Sequence, residues 1–140
     1  MKNMTISVIG TAGSCIAAAL GGWDSAIIAL LSFMAIDYIT GFVVALVFHK
    51  SNKSASGGLE SRAGLKGLCK KGMVLLLVVV ANLLDQQMGA TYIRDGVCIA
   101  FMANELLSIV ENASLMGLPI PKIITDALDI LNANQQQEGK

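Results

Sequence analysis

One apolar run, Ala26 to Phe48, limits what this chain can become. Its 23 residues carry a single charge, Asp37, within Asp37-Tyr38-Ile39-Thr40-Gly41. As a helix rising about 1.5 Å per residue, the run covers roughly 34 Å, enough to cross a hydrocarbon core of about 30 Å. A soluble domain of 140 residues buries its core without uncharged runs of this length. Composition agrees, with 54% hydrophobic and 14% charged residues and a mean hydropathy of +0.66. The expected architecture is an all-α membrane protein of three to four short transmembrane helices plus a C-terminal amphipathic helix. One domain covers residues 1–133, with spans near 4–20, 26–48, 70–88 and 93–110, an amphipathic helix over 122–133 and a flexible tail over 134–140.

Net charge is zero, but six of the ten Lys and Arg residues lie between positions 50 and 71. Arg62, Lys66, Lys70 and Lys71 close that cluster and set the topology, because loops rich in Lys and Arg stay in the cytoplasm. With four spans both termini are cytoplasmic as well. A nucleic-acid partner is excluded, since the cluster sits between membrane helices and has no interleaved aromatics. Ser51 to Gly58 reads as flexible. Cys15, Cys69 and Cys98 are odd in number and far apart, which suggests buried free thiols rather than a disulfide framework or a zinc site.

The first apolar segment, Met4 to Leu20, reads as a membrane helix, its apolar centre being too diluted by Ser7, Gly10, Thr11, Gly13 and Ser14 for a signal peptide. Gly10, Ser14, Ala18 and Gly22 form a stripe of small residues suited to close helix packing in lipid. Trp23 suits the membrane interface, and Asp24 or Ser25 suits the cap of the next helix. The third run, Gly72 to Leu84, is short, so its crossing needs Lys70 and Lys71 to snorkel and Asp85-Gln86-Gln87 to lie at the far interface.

Polar residues within the runs need a reason. A charge at a helix centre costs about 2.5 to 3.5 kcal/mol on insertion scales. Asp37 shares a helix face with Gly41 and Ala45, and Asn104, Glu105, Ser108, Glu111 and Asn112 fall within one arc of the fourth helix. These faces meet other helices, another subunit or water, and the residue pattern leaves packing and pore lining both open. Acid/base catalysis by Glu105 and Glu111 is not supported, because they lie almost two turns apart without a histidine, nucleophile or metal-ligand partner. The one histidine, His49, reads as an interface residue. With no phosphate-binding loop, Ser/His/Asp set or zinc-binding pair, the chain is read as a non-enzyme without catalytic, cofactor or metal residues. After Gly117-Leu118-Pro119-Ile120-Pro121 the chain is amphipathic. Ile123, Ile124, Ala127, Leu128, Ile130 and Leu131 lie on one side, and Lys122, Thr125, Asp126, Asp129 and Asn132 on the other.

Taken in order, Asp37-x-x-Thr40-Gly41, the spaced Gly64 and Gly67 before Lys70-Lys71, Leu84-Asp85, Ala103-Asn104-Glu105 with Ser108 and Glu111-Asn112, and Gly117-x-Pro119-x-Pro121 before Asp126-Ala127-Leu128 resemble the toxin-secretion/phage-lysis holin family. The similarity runs from about Ile28 to Leu131. It implies a small protein that accumulates in the bacterial cytoplasmic membrane, forms homo-oligomers in the lipid, and opens timed lesions that release endolysin or toxin. Endolysin is then cargo rather than a bound partner, and an antiholin is a candidate partner. On this view Asp37, Gly41, Asn104, Glu105, Ser108 and Glu111 make intersubunit or lumen contacts, while Gly10, Ser14, Ala18 and Gly22 pack helices. The competing classes are a four-helix proton-coupled transporter using Asp37 or Glu105, and an antiholin or membrane adaptor.

Overall fold

The computed structural model describes residues 1–138, with the side chains of Leu128, Leu131, Asn132 and residues 134–138 outside the described set. Five helices follow in order: α1 Lys2–Ala19, α2 Ser25–Val43, α3 Ser61–Met88, α4 Ile93–Leu115 and α5 Lys122–Glu138. Their ends follow local chemistry. Asp24 caps α2, its carboxylate accepting from the Ile27 N–H at 3.1 Å. The last turn of α2 widens into a π-helical turn over Val44–Phe48, and His49 stops it in a left-handed conformation with φ 51°. Gly89 ends α3 at φ 63°, its N–H turned back to the Asp85 carbonyl. Gly117, at φ 86°, terminates the α4 region ahead of Pro119 and Pro121.

α2, α3 and α4 form the bundle. α4 packs chiefly against α2 and secondarily against α3, whereas α2 and α3 meet only sparsely. Leu20, Ile27, Leu30, Met34, Val78 and Cys98 make the apolar core. Asp37, Asn82, Asp85, Arg94 and Asn112 are buried too, while Ile28, Ile39, Leu46, Leu76, Val80 and Leu83 are exposed. Charges inside and aliphatic side chains outside are the arrangement of a chain whose solvent is lipid.

Among the described residues two helices, α2 extended to Phe48 and α3, are long and apolar enough to cross a membrane. Those are two of the expected three to four spans. α1 and α4 are not among those helices.

Several boundaries differ from those expected. The helix that contains the expected span near 70–88 starts earlier, at Ser61, and takes in the basic segment. α3 therefore measures about 42 Å, so Lys70 and Lys71 lie within it rather than at its edge. The loop before it is built rather than loose: Ser51 N–H donates to Gly57 O at 2.8 Å and Ser54 Oγ to Gly58 O at 2.7 Å. Gly57 is required there, since at φ +73° a Cβ would stand 2.5 Å from His49 O. Cys98 is buried as expected, but Cys15 and Cys69 are exposed, because each lies on a helix face that no other helix covers. α5 continues past Ala133 to Glu138, so residues 134–138 have helical backbone; Gly139 and Lys140 lie outside the described residues. Ile123 and Ile130 on its apolar side are uncovered within the chain, and the expected positions of Leu128, Leu131 and Asn132 fall outside the described side chains.

Candidate functional site

Two polar clusters lie on either side of the apolar core. The deeper one is centred on Asp37, halfway along α2. α3 brings Lys71 to it and α4 brings Glu105, so that one ammonium bridges two carboxylates at 2.8 Å and 2.5 Å. The three side chains are 15%, 7% and 12% exposed for Lys71, Asp37 and Glu105. Charges held this far from water require partners at hydrogen-bond distance. Asn112, two turns beyond Glu105 on α4, reads the rest of the α2 motif. Its Nδ2 donates to Thr40 Oγ1 at 2.9 Å and to the Asp37 carbonyl and Oδ1, both at 3.3 Å. Gly41 lies beside that amide, where a Cβ would be 3.6 Å from Asn112 Nδ2. Tyr38 takes the neighbouring direction, toward α3. Cβ atoms added at Gly64 and Gly67 would lie 3.4 and 3.9 Å from its ring system, so the spaced glycines are the seat for this side chain.

The 49–60 loop folds back over the same cluster. Lys53 Nζ donates to Ser108 Oγ at 2.9 Å and lies 3.6 Å from Asp37 Oδ1. Asn52 Nδ2 donates to Glu111 Oε1 at 3.2 Å. The structure thus brings Asp37, Gly41, Glu105, Ser108 and Glu111 together inside one chain, and Asn104 lies with them on the wall of the adjoining cleft. Of the topology residues, Lys71 is an internal ion-pair partner, while Arg62, Lys66 and Lys70 remain exposed. The small-residue stripe is uncovered within the chain: α1 has no buried residue, and Cβ atoms at Gly10 and Gly22 would meet nothing within 4 Å.

In the second cluster Asp24 is the expected cap and Asp85 belongs to the Leu84-Asp85 piece of the family pattern, but no motif singles out Arg94. Arg94, in the first turn of α4, is 7% exposed. It clasps the turn between α1 and α2. Nη1 and Nη2 donate to the two carboxylate oxygens of Asp24 at 2.7 and 2.9 Å, Nε donates to Leu20 O at 2.5 Å, and Nη1 also reaches Asp95 at 3.0 Å. This fork-to-fork geometry is specific to arginine. The guanidinium holds the Asp24 carboxyl down at about 2. Asn82 Nδ2 donates to Ala19 O at 3.1 Å, and Asp85 accepts from the Ile93 and Arg94 N–H groups at 3.0 and 2.9 Å. Asp85 therefore serves the start of α4 instead of only marking an interface. Charge placement held one clue. A cation on the side opposite the basic loop runs against the positive-inside tendency and needs an acid, and Asp24, Asp85 and Asp95 are the acids available there.

Residues 14–133 match the bacteriophage holin family. The chain is 39% identical over 114 residues to an uncharacterised protein of Clostridium perfringens strain 13, a match spanning 80% of this chain and 78% of that protein. It is 31% identical over 136 residues to an uncharacterised protein of Listeria innocua, spanning 96% and 91%. A probable holin of Bacillus phage phi105 is 35% identical over 104 residues, spanning 74% and 71%. No solved structure matches the chain. The matched segment contains the whole α2–α4 bundle with both buried polar clusters, and on that basis the chain belongs to the bacteriophage holin family.

Proposed function

We propose that this protein is a phage-type holin that accumulates in the bacterial cytoplasmic membrane, assembles with copies of itself, and at a set time opens lesions that release endolysin or a toxin. The observation that carries this reading, beside family membership, is the buried charge network that joins Asp37 of the apolar α2 to Lys71 of α3 and Glu105 of α4. Every buried side-chain polar atom among the described residues has a hydrogen-bond partner. Within one copy the polar faces of α2 and α4 thus meet each other and α3, one of the alternatives their pattern left open, while Asn104 and Glu111 stay exposed. Accumulation without leakage is in keeping with a buried charge network whose members are already paired. Lesion formation then consists of exchanging internal partners for water and neighbouring chains at Asp37, Gly41, Asn104, Glu105, Ser108 and Glu111. The exposed stripe Gly10, Ser14, Ala18 and Gly22 packs α1 against another helix in that assembly.

In this reading α4 crosses the bilayer beside α2 with Arg94 and Glu105 turned inward, and α1 is the fourth span. The basic loop, Lys2 and α5 then face the cytoplasm. A tag at either terminus is expected to be protected from protease in intact spheroplasts.

The decisive experiment induces the protein with and without a cytoplasmic endolysin while membrane potential and culture turbidity are followed. Abrupt loss of potential, with lysis only when endolysin is present, is the expected result. Asp37→Leu is expected to change the onset time and the crosslinked oligomer pattern, and an unchanged onset with unchanged oligomers refutes the assigned role of Asp37. Gradual, solute-specific flux without collapse of the potential would instead identify a transporter, and suppression of another holin's lesions an antiholin.

A further inference from the structure

Between α2, the start of α3 and the 49–60 loop lies an open cleft of about 1100 Å³. Its floor is the Asp37–Lys71–Glu105 network, and its walls include Phe42, Leu65 and Leu68, which are 44%, 63% and 51% exposed. The acids on those walls are engaged. Asp37 and Glu105 hold Lys71, and the Glu60 carboxylate accepts from Ser56 N–H at 3.1 Å and Ser56 Oγ at 2.7 Å, which lowers its pKa. Lys53 is spent on Ser108. Lys66 and Lys70 are different. They stand one helical turn apart at the cleft, exposed, with no acidic partner among the described residues.

We propose that this cleft is a binding site for an anionic phospholipid, with the phosphate at Lys66 and Lys70 and the start of the acyl chains along Phe42, Leu65 and Leu68. Three considerations select this occupant. The site lies where the apolar part of α2 ends and the basic part of α3 begins, which is head-group depth for a helix longer than the hydrocarbon core. The cleft is amphipathic, with Phe42, Leu65 and Leu68 beside polar loop residues, and it exceeds the space a typical small ligand needs. Two unneutralised ammonium groups above apolar walls match an amphiphile with a negative head better than they match water or a neutral lipid. The inference needs only a membrane location and goes beyond lesion formation.

The test uses the full chain in micelles containing equimolar phosphatidylglycerol and phosphatidylcholine, with retained lipid counted by native mass spectrometry. Phosphatidylglycerol is expected to be retained over phosphatidylcholine on the order of tenfold or more, from two lysines near one phosphate. Lys66→Gln/Lys70→Gln is expected to bring the ratio near unity, while Arg62→Gln, outside the cleft, leaves it within about twofold. A second measurement leaves both lysines intact: Phe42→Trp in a Trp23→Phe background, in vesicles, is expected to be quenched more by brominated phosphatidylglycerol than by brominated phosphatidylcholine. Equal retention, equal quenching, or an Arg62→Gln loss as large as that of the lysine pair refutes a defined site. Displacement of the lipid by millimolar glycerol phosphate or inorganic phosphate also overturns it, since the ligand is then a soluble phosphate. Lysis timing plays no part in these readouts, so failure here is separable from failure of the holin reading.

Discussion

Lys71→Met keeps the length and apolar stem of the side chain and removes its charge. Lys71 alone touches both Asp37 and Glu105. Asp37 retains a second cation, Lys53, at 3.6 Å, so the group left without a cation is the Glu105 carboxylate, 12% exposed. Breaking a buried pair by removing one partner costs about 3–5 kcal/mol, whereas a surface pair is worth only about 0–1. For a chain of this size about 1 kcal/mol corresponds to roughly 2–4 °C in Tm, so a drop near 10 °C is expected on thermal unfolding in detergent micelles followed by circular dichroism. Adding Glu105→Gln removes the orphan charge and should restore most of the loss, because the penalty comes from the unpaired carboxylate and not from the missing ammonium itself. If Lys71→Met unfolds within about 2 °C of the parent, or if the double variant is as unstable as the single one, the buried-network account is wrong.

Three of the four further expectations come from the Arg94 clasp. Gly21→Ala introduces a Cβ 2.7 Å from Arg94 Nε and Asn82 Oδ1 at φ +88°, and should cost about 2 kcal/mol or more of stability. Gly10→Ala meets nothing within 4 Å, so any loss it causes in membranes but not in dilute micelles reports contact between chains. Arg94→Lys loses the bidentate hold on Asp24 and one of its backbone contacts, with an expected cost of about 2 kcal/mol in the same unfolding assay. The Asp24 carboxyl titrates at about 2 in the folded chain against an ordinary 3.8. Because the folded value is the lower one, its contribution is complete above about pH 4 and is lost as pH falls toward 2. Asp24 is 47% exposed, so this acid-side loss should be shallow and shrink further in 1 M salt, and Asp24→Asn should abolish it.

Much of the local structure was legible in the residues. The run around Asp37 is one helix, Asp24 caps it, Gly117 with Pro119 and Pro121 separates α4 from α5, and the polar residues of α4 share a face. These features depend on neighbours a few positions apart, which helical periodicity and capping rules capture. The helical start at Ser61 was less visible, since glycine and lysine there weaken the apolar period that marks a helix. The partners in the candidate site were the least visible of all. Lys71 has the sequence signature of a topology-setting cation, identical to Lys70, and only their orientations on α3, about 100° apart, turn one inward and leave the other out.

Residue order sufficed for the long apolar helix around Asp37, for its Asp24 cap, and for the requirement that charge within the apolar runs be answered by something. What answers it was decided by tertiary structure alone. Packing α4 against α2 and α3 puts Glu105, Asn112 and Lys71 around Asp37, and Arg94 around the α1–α2 turn, across separations of 34 to 75 residues. Hydrogen bonds act over about 3 Å, so such pairs exist only once the bundle has formed, and no local pattern encodes them.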